Sequence, residues 1–268
     1  MPRASLPMYD LPGLEAATDA WWSGLAAAFR AEGLREVPDR LTRGSDADQL
    51  WRAPDLLFSQ TCGYPLTHAL AGKVCLVATP VYDCPGCAGG SYHSEILLRA
   101  DDRADDLAAL RGRRAAVNSA DSQSGYSVLR HAVAPLAKGG HFFAEVKHSG
   151  SHRESMVLVA EGAADVCAID GVTYALLCQT QPDLTARLRV LTRSAAAPAL
   201  PYITRLGISD DDLRRLRAGL QRAVADPALA EARAALRIKG VVVRPLSDYD
   251  RILEIEAEAL TAGYPELA

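Results

Sequence analysis

Five stretches of this 268-residue sequence put hydrogen-bonding side chains where an apolar run ends. In "NSADSQSGYSVLR", residues 118–130, Ser122, Gln123 and Ser124 stand at the turn. In "KHSGSHRES", Ser149, Ser151 and His152 follow the apolar "FFAEV". Asp170 ends "DVCAID" and precedes Gly171. In "DLLFSQTCGYP", Gln60 and Tyr64 flank the end of the apolar run, and Tyr9 follows "ASLPM" in the same way. The first N–H groups of a helix have no carbonyl partner within it, and the macrodipole adds partial positive charge there. Hydroxyls beside such groups can receive an oxyanion without any fixed cation. A histidine in the first helical turn is disfavoured in its charged form and tends to be neutral. Each residue also has a structural alternative. Ser122 or Ser124 can be an N-cap. Ser151 with Glu154 fits a capping box. Asp170 can cap the helix that follows it, and a single tyrosine is often amphipathic core.

Other chemistries are limited by what the chain lacks. There is no G-x-S-x-G elbow, no P-loop and no well-placed G-x-G-x-x-G. Cys84-Pro-Gly-Cys87 is compatible with a redox pair, with half a zinc site that takes His93 as third ligand, or with a disulfide such as Cys62–Cys87; free thiols are favoured. No metal and no cofactor is expected. Cys75, Cys167 and Cys178 lie in apolar runs and are expected as buried thiols.

The elements that must position these residues alternate. Strands such as "DLLFSQ", "KVCLVATPVY", "RRAAVN" and "DVCAID" are separated by helical stretches of roughly 10–18 residues, the pattern of an α/β protein with mainly parallel sheet. "GLEAATDAWWSGLAAAFRAEG" carries Trp22, Leu25, Ala26 and Phe29 on one stripe. The Pro/Gly-rich "CPGCAGGSYH" and the later "TRSAAAPALPY" are crossing points between two lobes. Lobe 1 is then residues 1–90 plus 195–268, discontinuous and holding both chain ends, and lobe 2 is residues 91–194. Apolar residues make up 49% and charged residues 23%, as in a globular protein, and a net charge of −4 with scattered basic residues excludes a general nucleic-acid binder. No apolar run reaches the roughly 18 residues that cross a bilayer, so no membrane insertion is expected. The N-terminal residues lack the apolar stretch of a signal peptide, which predicts a cytoplasmic protein, or a periplasmic one whose leader has been removed.

Taken together, "DLLFSQTCGYPL", "NSADSQSGY" and "HSGSHRESMVLVAEGAADVCAID" resemble the phosphate/phosphite/phosphonate solute-binding proteins of ABC transporters, over residues 4–225. The resemblance implies a two-lobed, type II periplasmic-binding-protein fold, each lobe a mainly parallel sheet flanked by helices, with the ligand in a cleft between lobes. It implies a protein without catalytic activity that captures a phosphonate, phosphate or similar small oxyanion, a permease as partner, and a monomer. By the same resemblance Ser122, Gln123 and Ser124 hold the anion's oxygens, Tyr64 and Tyr9 are aromatic donors beside Gln60, His152 with Ser151 occupies the second helix start, and Asp170 closes on a protonated oxygen or an amine. The competing readings are a cytoplasmic enzyme on the same fold, with His152 and Asp170 as acid and base, and a ligand sensor.

Overall fold

A computed structural model describes residues 2–268, and the chain divides into two compact units. The first comprises Met1–Asp83, Cys87–Ser91 and Pro198–Asp248, the second Cys84–Gly86, Tyr92–Ala197 and Tyr249–Ala268. In chain order the first unit runs β1 (Arg3–Ala4), α1 (Glu15–Ala31), α2 (Ala47–Trp51), β2 (Leu56–Gln60), α3 (Gly63–Thr67) and β3 (Val74–Tyr82). The chain crosses at β4 (Ser91–Tyr92) and builds β5 (Ser94–Arg99), β6 (Arg114–Val117), α4 (Val128–Val133), β7 (Glu145–His148), α5 (His152–Ala160), β8 (Val166–Asp170), α6 (Gly171–Thr180), α7 (Pro182–Thr185) and β9 (Leu188–Arg193). It returns at β10 (Ala197–Pro198) for β11 (Tyr202–Arg205), α8 (Asp210–Ala225), α9 (Ala230–Ala235) and β12 (Ile238–Val242), then leaves for α10 (Asp250–Thr261).

Each unit is a five-stranded sheet flanked by helices, ordered β1-β2-β11-β3-β12 in the first and β7-β6-β8-β5-β9 in the second. The strands run mainly one way, but each sheet takes an inserted strand of opposite sense. β11 lies antiparallel between β2 and β3, and β5 lies antiparallel between β8 and β9. Both are the first long strands after a crossing, so each enters its sheet without the helical crossover that a parallel pairing needs. β12 adds a second reversed strand at the edge of the first sheet.

The first core is aromatic. Trp22 and Phe29, four and eleven residues after Thr18 on α1, stack against Phe58 of β2, which in turn meets Tyr202 of β11 at 4.9 Å. The expected stripe of Trp22, Leu25, Ala26 and Phe29 is buried throughout, and Trp21 joins it. Against this helix lies α8, close enough that a Cβ on Gly219 would stand 2.5 Å from the Phe29 ring. In the second unit, β6 is locked to β8 by Arg114: its guanidinium lies 2.6 Å from the Asp165 carboxylate, which also accepts the Arg114 N–H at 2.8 Å. Arg114 holds the Asp165 carboxyl below the usual range.

Two expectations are corrected. The C-terminal helix was expected in lobe 1, yet residues Tyr249–Ala268 belong to the second unit. Ala259, Tyr264 and Leu267 enter the core formed by Leu129, Val133, Phe142 and Phe143, and the Ala268 carbonyl accepts from the Phe142 and Phe143 N–H groups. The apolar face of α10 was readable; which of two cores it covers is decided by tertiary complementarity. Cys178, expected buried, is exposed, and Cys75 is only partly covered, whereas Cys167 is buried and its thiol pKa is pushed up by that burial. None of the six cysteines is in a disulfide.

Tyr264 is fully buried, and its hydroxyl bonds to the Ala268 backbone. Tyr264→Ala should therefore destabilise the second unit by about 3–5 kcal/mol, the range for a large aromatic truncated in a core. The check is a fall in urea midpoint followed by hydrogen exchange, with lost protection confined to residues of the second unit.

Candidate functional site

The parallel pairing of β6 with β7 and with β8 sets the site. Val117 is in register with His148, and Ala116 with Cys167, so the three strands end at one edge of the sheet. Each runs into a helix start there. After β6, Ser122 accepts the Gly125 N–H at 3.0 Å as an N-cap, and the chain opens into a wide π-type turn over Gln123–Ser127, closed by Ser127 N–H donating to Ser122 O. After β7, Ser151 caps α5 by accepting the Glu154 N–H at 3.1 Å. After β8, Asp170 caps α6 by accepting the Thr173 N–H at 2.8 Å. The capping alternatives therefore hold at all three junctions. They account for one acceptor of each side chain and leave the rest of the turn unexplained.

The first turn meets the second through a hydroxyl and an imidazole. Ser124 Oγ lies 2.8 Å from His152 Nε2. The close approach requires Gly125, because a Cβ there would stand 1.9 Å from Asn118 Oδ1 and 3.3 Å from His152 Cε1. Burial lowers the His152 pKa to about 4, with the Ala168 backbone carbonyl acting weakly in the opposite sense. The imidazole is thus neutral at pH 7, one nitrogen a donor and the other an acceptor. The direction of the bond follows the tautomer: with the proton on Nε2 the ring donates to Ser124 Oγ, and with the proton on Nδ1, towards the Ala168 carbonyl, it accepts from the Ser124 hydroxyl.

Around this contact sits a group of buried polar atoms without partners. Gln123 is fully buried, yet neither its Oε1 nor its Nε2 makes a hydrogen bond. Asn118 Oδ1 and Ser127 Oγ are in the same condition. Leaving a buried polar group unpaired costs about 1–3 kcal/mol, and here several share one turn. Their residue types can donate to and accept from a small polyoxygen solute. Ser127 and Asn118 were not among the residues expected; Asn118 is the first residue past β6, and that strand-end position was the available signal.

The remaining candidates belong to the first unit. Gln60 is buried with its amide donating to Tyr82 Oη at 2.9 Å and to Leu200 O at 3.0 Å. That NH2 group is committed to holding β2, β3 and the segment before β11 together. Tyr9 meets Tyr82 edge to face at 5.2 Å and, with Gln60, Trp21 and Tyr202, lines a cavity of about 20 Å3, room for a water. Tyr64 is apart from these, in α3, its ring stacked on His68 at 3.8 Å. His93, weighed as a metal ligand, faces Glu95 at 3.0 Å, and among the described residues no group of three His, Cys, Asp or Glu side chains is placed to hold a metal ion.

A model of the ABC-transporter phosphonate periplasmic substrate-binding family matches residues 53–249. The chain belongs to that family, and its role is solute binding. No curated protein matches it. Among solved structures it is similar to a binding-protein component of an ABC phosphonate transporter from Pseudomonas aeruginosa, with 17% identity over 98% of this chain and 88% of that one and a TM-score of 0.79. It is similar also to PhnD1 from Prochlorococcus marinus in complex with methylphosphonate, with 14% identity over 97% and 98% of the two chains and a TM-score of 0.78. A protein from Xanthomonas citri bound to ATP shares 18% identity over 98% of both chains, with a TM-score of 0.71. At these identities the likeness is one of fold, the two-lobed type II periplasmic-binding-protein fold. The family is described as periplasmic, which gives no support to the cytoplasmic location expected from the N-terminal residues. No helix among the described residues is long and apolar enough to cross a membrane.

The neutral imidazole has a thermodynamic signature. Unfolded, a histidine takes up its proton near pH 6.5; folded, His152 resists until about pH 4. Between those values the unfolded chain binds the extra proton, so stability falls as pH is lowered through that window. Acidification from pH 6.5 to 5 should cost about 1.5 kcal/mol through this residue, the slope approaching ~1.4 kcal/mol per pH unit only below the unfolded pKa. Urea unfolding at the two pH values checks it: His152→Gln should flatten the dependence by that amount.

Proposed function

We propose that this chain is a solute-binding protein for a small tetrahedral oxyanion, a phosphonate, phosphate or phosphite, held mainly by the turn Ser122-Gln123-Ser124 together with His152 and Asp170. The observation that carries the reading is the unpartnered amide of Gln123, fully buried in a turn whose leading N–H groups have no helical acceptor. An oxyanion in that turn receives the Gln123 and Ser124 N–H groups, the Ser124 hydroxyl and the Gln123 Nε2–H. Hydrogen bonds to charged oxygens contribute about 1.5–3 kcal/mol each. A carboxylate such as Asp170 only accepts, so it favours a solute that keeps a proton on one oxygen, or one that carries an amine. Ser151 is assigned a role through the cap of α5, which fixes His152 in the first turn. Tyr64, Tyr9 and Gln60 are proposed as the donors that the first unit offers.

No chemistry is assigned to the Ser124–His152 pair. Burial lowers the basicity of the His152 imidazole, which disfavours it as a general base for the Ser124 hydroxyl. The protein is proposed to work as a monomer in the periplasm and to deliver its solute to a permease of the ABC type.

Titration calorimetry with methylphosphonate, phosphite and phosphate tests the assignment. At least one should bind the wild-type protein, and Gln123→Leu and Ser124→Ala should each weaken it tenfold or more with the fold intact. Unchanged affinity in both variants would remove the turn from the site.

A further inference from the structure

A second group of unsatisfied polar side chains lies in the first unit, and it is cationic. An open pocket of about 440 Å3 is lined by Arg233, Arg237, Lys239 and Asp83, with Ala230 and Ile238 as its apolar floor. Three cations face one carboxylate, so the pocket carries a net charge of +2. Lys239 reaches Asp83 only at 4.0 Å. The Arg237 guanidinium makes no hydrogen bond or ion pair among the described residues, and its Nε is buried without a partner. Arg233 donates through its terminal nitrogens to the Val224 and Asp226 carbonyls, and its Nε too is buried and unpaired.

Two backbone irregularities aim these side chains. Arg237 follows the end of α9 and adopts φ = 56°, making it the single non-glycine residue of positive φ among those described. That is the helix-terminating position where glycine is the ordinary choice, because a Cβ is strained there. Two residues later β12 is bulged. Ile238 pairs with Tyr82 and Gly240 with Val81, so Lys239 is the extra residue, re-aimed out of the alternation of an edge strand. A strained arginine and a bulged lysine therefore share a pocket with a third cation from the preceding helix. Backbone strain kept at a position that would tolerate glycine points to a use for the side chain.

We propose that Arg233, Arg237 and Lys239 form a second anion site, for a soluble phosphate compound bearing two or more negative charges. Guanidinium groups offer paired donors that match phosphate oxygens, and the ammonium adds a point charge. The pocket differs in kind from the turn at Ser122-Gln123-Ser124, which includes no cation. A net charge of +2 selects a multiply charged anion over a singly charged one and makes its affinity fall with salt. The site stands independently of the solute reading.

Pyrophosphate is the probe, titrated by calorimetry into the full chain and into Ser124→Ala, Arg237→Gly and Lys239→Ala. Binding should survive Ser124→Ala and weaken at least tenfold in each of the other two, and the wild-type affinity should drop with added salt. Arg237→Gly should at the same time raise Tm by about 2–4 °C, because glycine relieves the positive φ. That separates lost binding from lost folding. No binding of pyrophosphate at millimolar concentration, equal binding in Arg237→Gly and Lys239→Ala, or loss of binding in Ser124→Ala alone would each overturn the proposal.

Discussion

The register of β6 with its two parallel neighbours is the constraint on which the rest of the second unit depends. Because β7, β6 and β8 run the same way, their carboxyl ends reach one edge together, and each chain then turns into a helix. The antiparallel β5 completes the arrangement from the other side. Ser94 pairs with Asp170, and the His93 carbonyl accepts the Gly171 N–H at 3.0 Å, so the start of α6 is tied to the start of β5. A side chain at position 171 would stand 2.7 Å from that carbonyl, which fixes glycine directly after Asp170. A slip of one residue in this sheet would turn Asp170 to the opposite face and separate Ser124 from His152.

That geometry explains how the anion site proposed here can lack a cation. The six residues assigned to it in the second unit include no arginine or lysine, and its histidine is held neutral by burial. Fixed dipoles replace charge: the leading N–H groups of a wide turn, a hydroxyl oriented by an imidazole, and a primary amide. Such donors need no counter-charge when the solute is absent, whereas a buried guanidinium would require one. The cost is instead the unpaired Gln123 amide. In the proposed role, the atoms that carry this cost are the ones that hold the solute.

Much of this was legible in the sequence, and the reasons for the remainder are specific. The apolar stripe of α1, the strand–helix alternation and the polar residues at strand ends are local features, with periods and spacings that a single chain displays. The identity of Gly125 as a point of contact was not legible, because its reason is Asn118 seven residues earlier and His152 far downstream. The reversed sense of β5 and β11 was hidden for a similar cause: strand direction is fixed by the partners, and a buried strand reads alike in either sense. The path of α10 and the exposure of Cys178 depend on which surface faces which core. Gln60 shows the converse. Its position at a strand end marked it as a donor, but its amide is consumed by Tyr82 and Leu200, which only the assembled sheet reveals.

The solved relatives sharpen what the fold does and does not decide. Structures of this architecture have been solved with methylphosphonate and with ATP bound, ligands that differ several-fold in size and charge. In the second unit of this chain three helix starts follow strand ends at one sheet edge. The side chains placed there are few and small: Ser122, Gln123, Ser124, Ser127 and Asn118 surround a turn that also approaches the His152 ring. Side chains of that size, with no cation among them, are the basis on which a compact oxyanion is proposed. The basic pocket proposed as a second site, beside β12, draws its three cations from the other unit. The two proposed sites thus differ in their donors, neutral dipoles in one and guanidinium and ammonium groups in the other, and that difference follows from side chains that the fold alone does not specify.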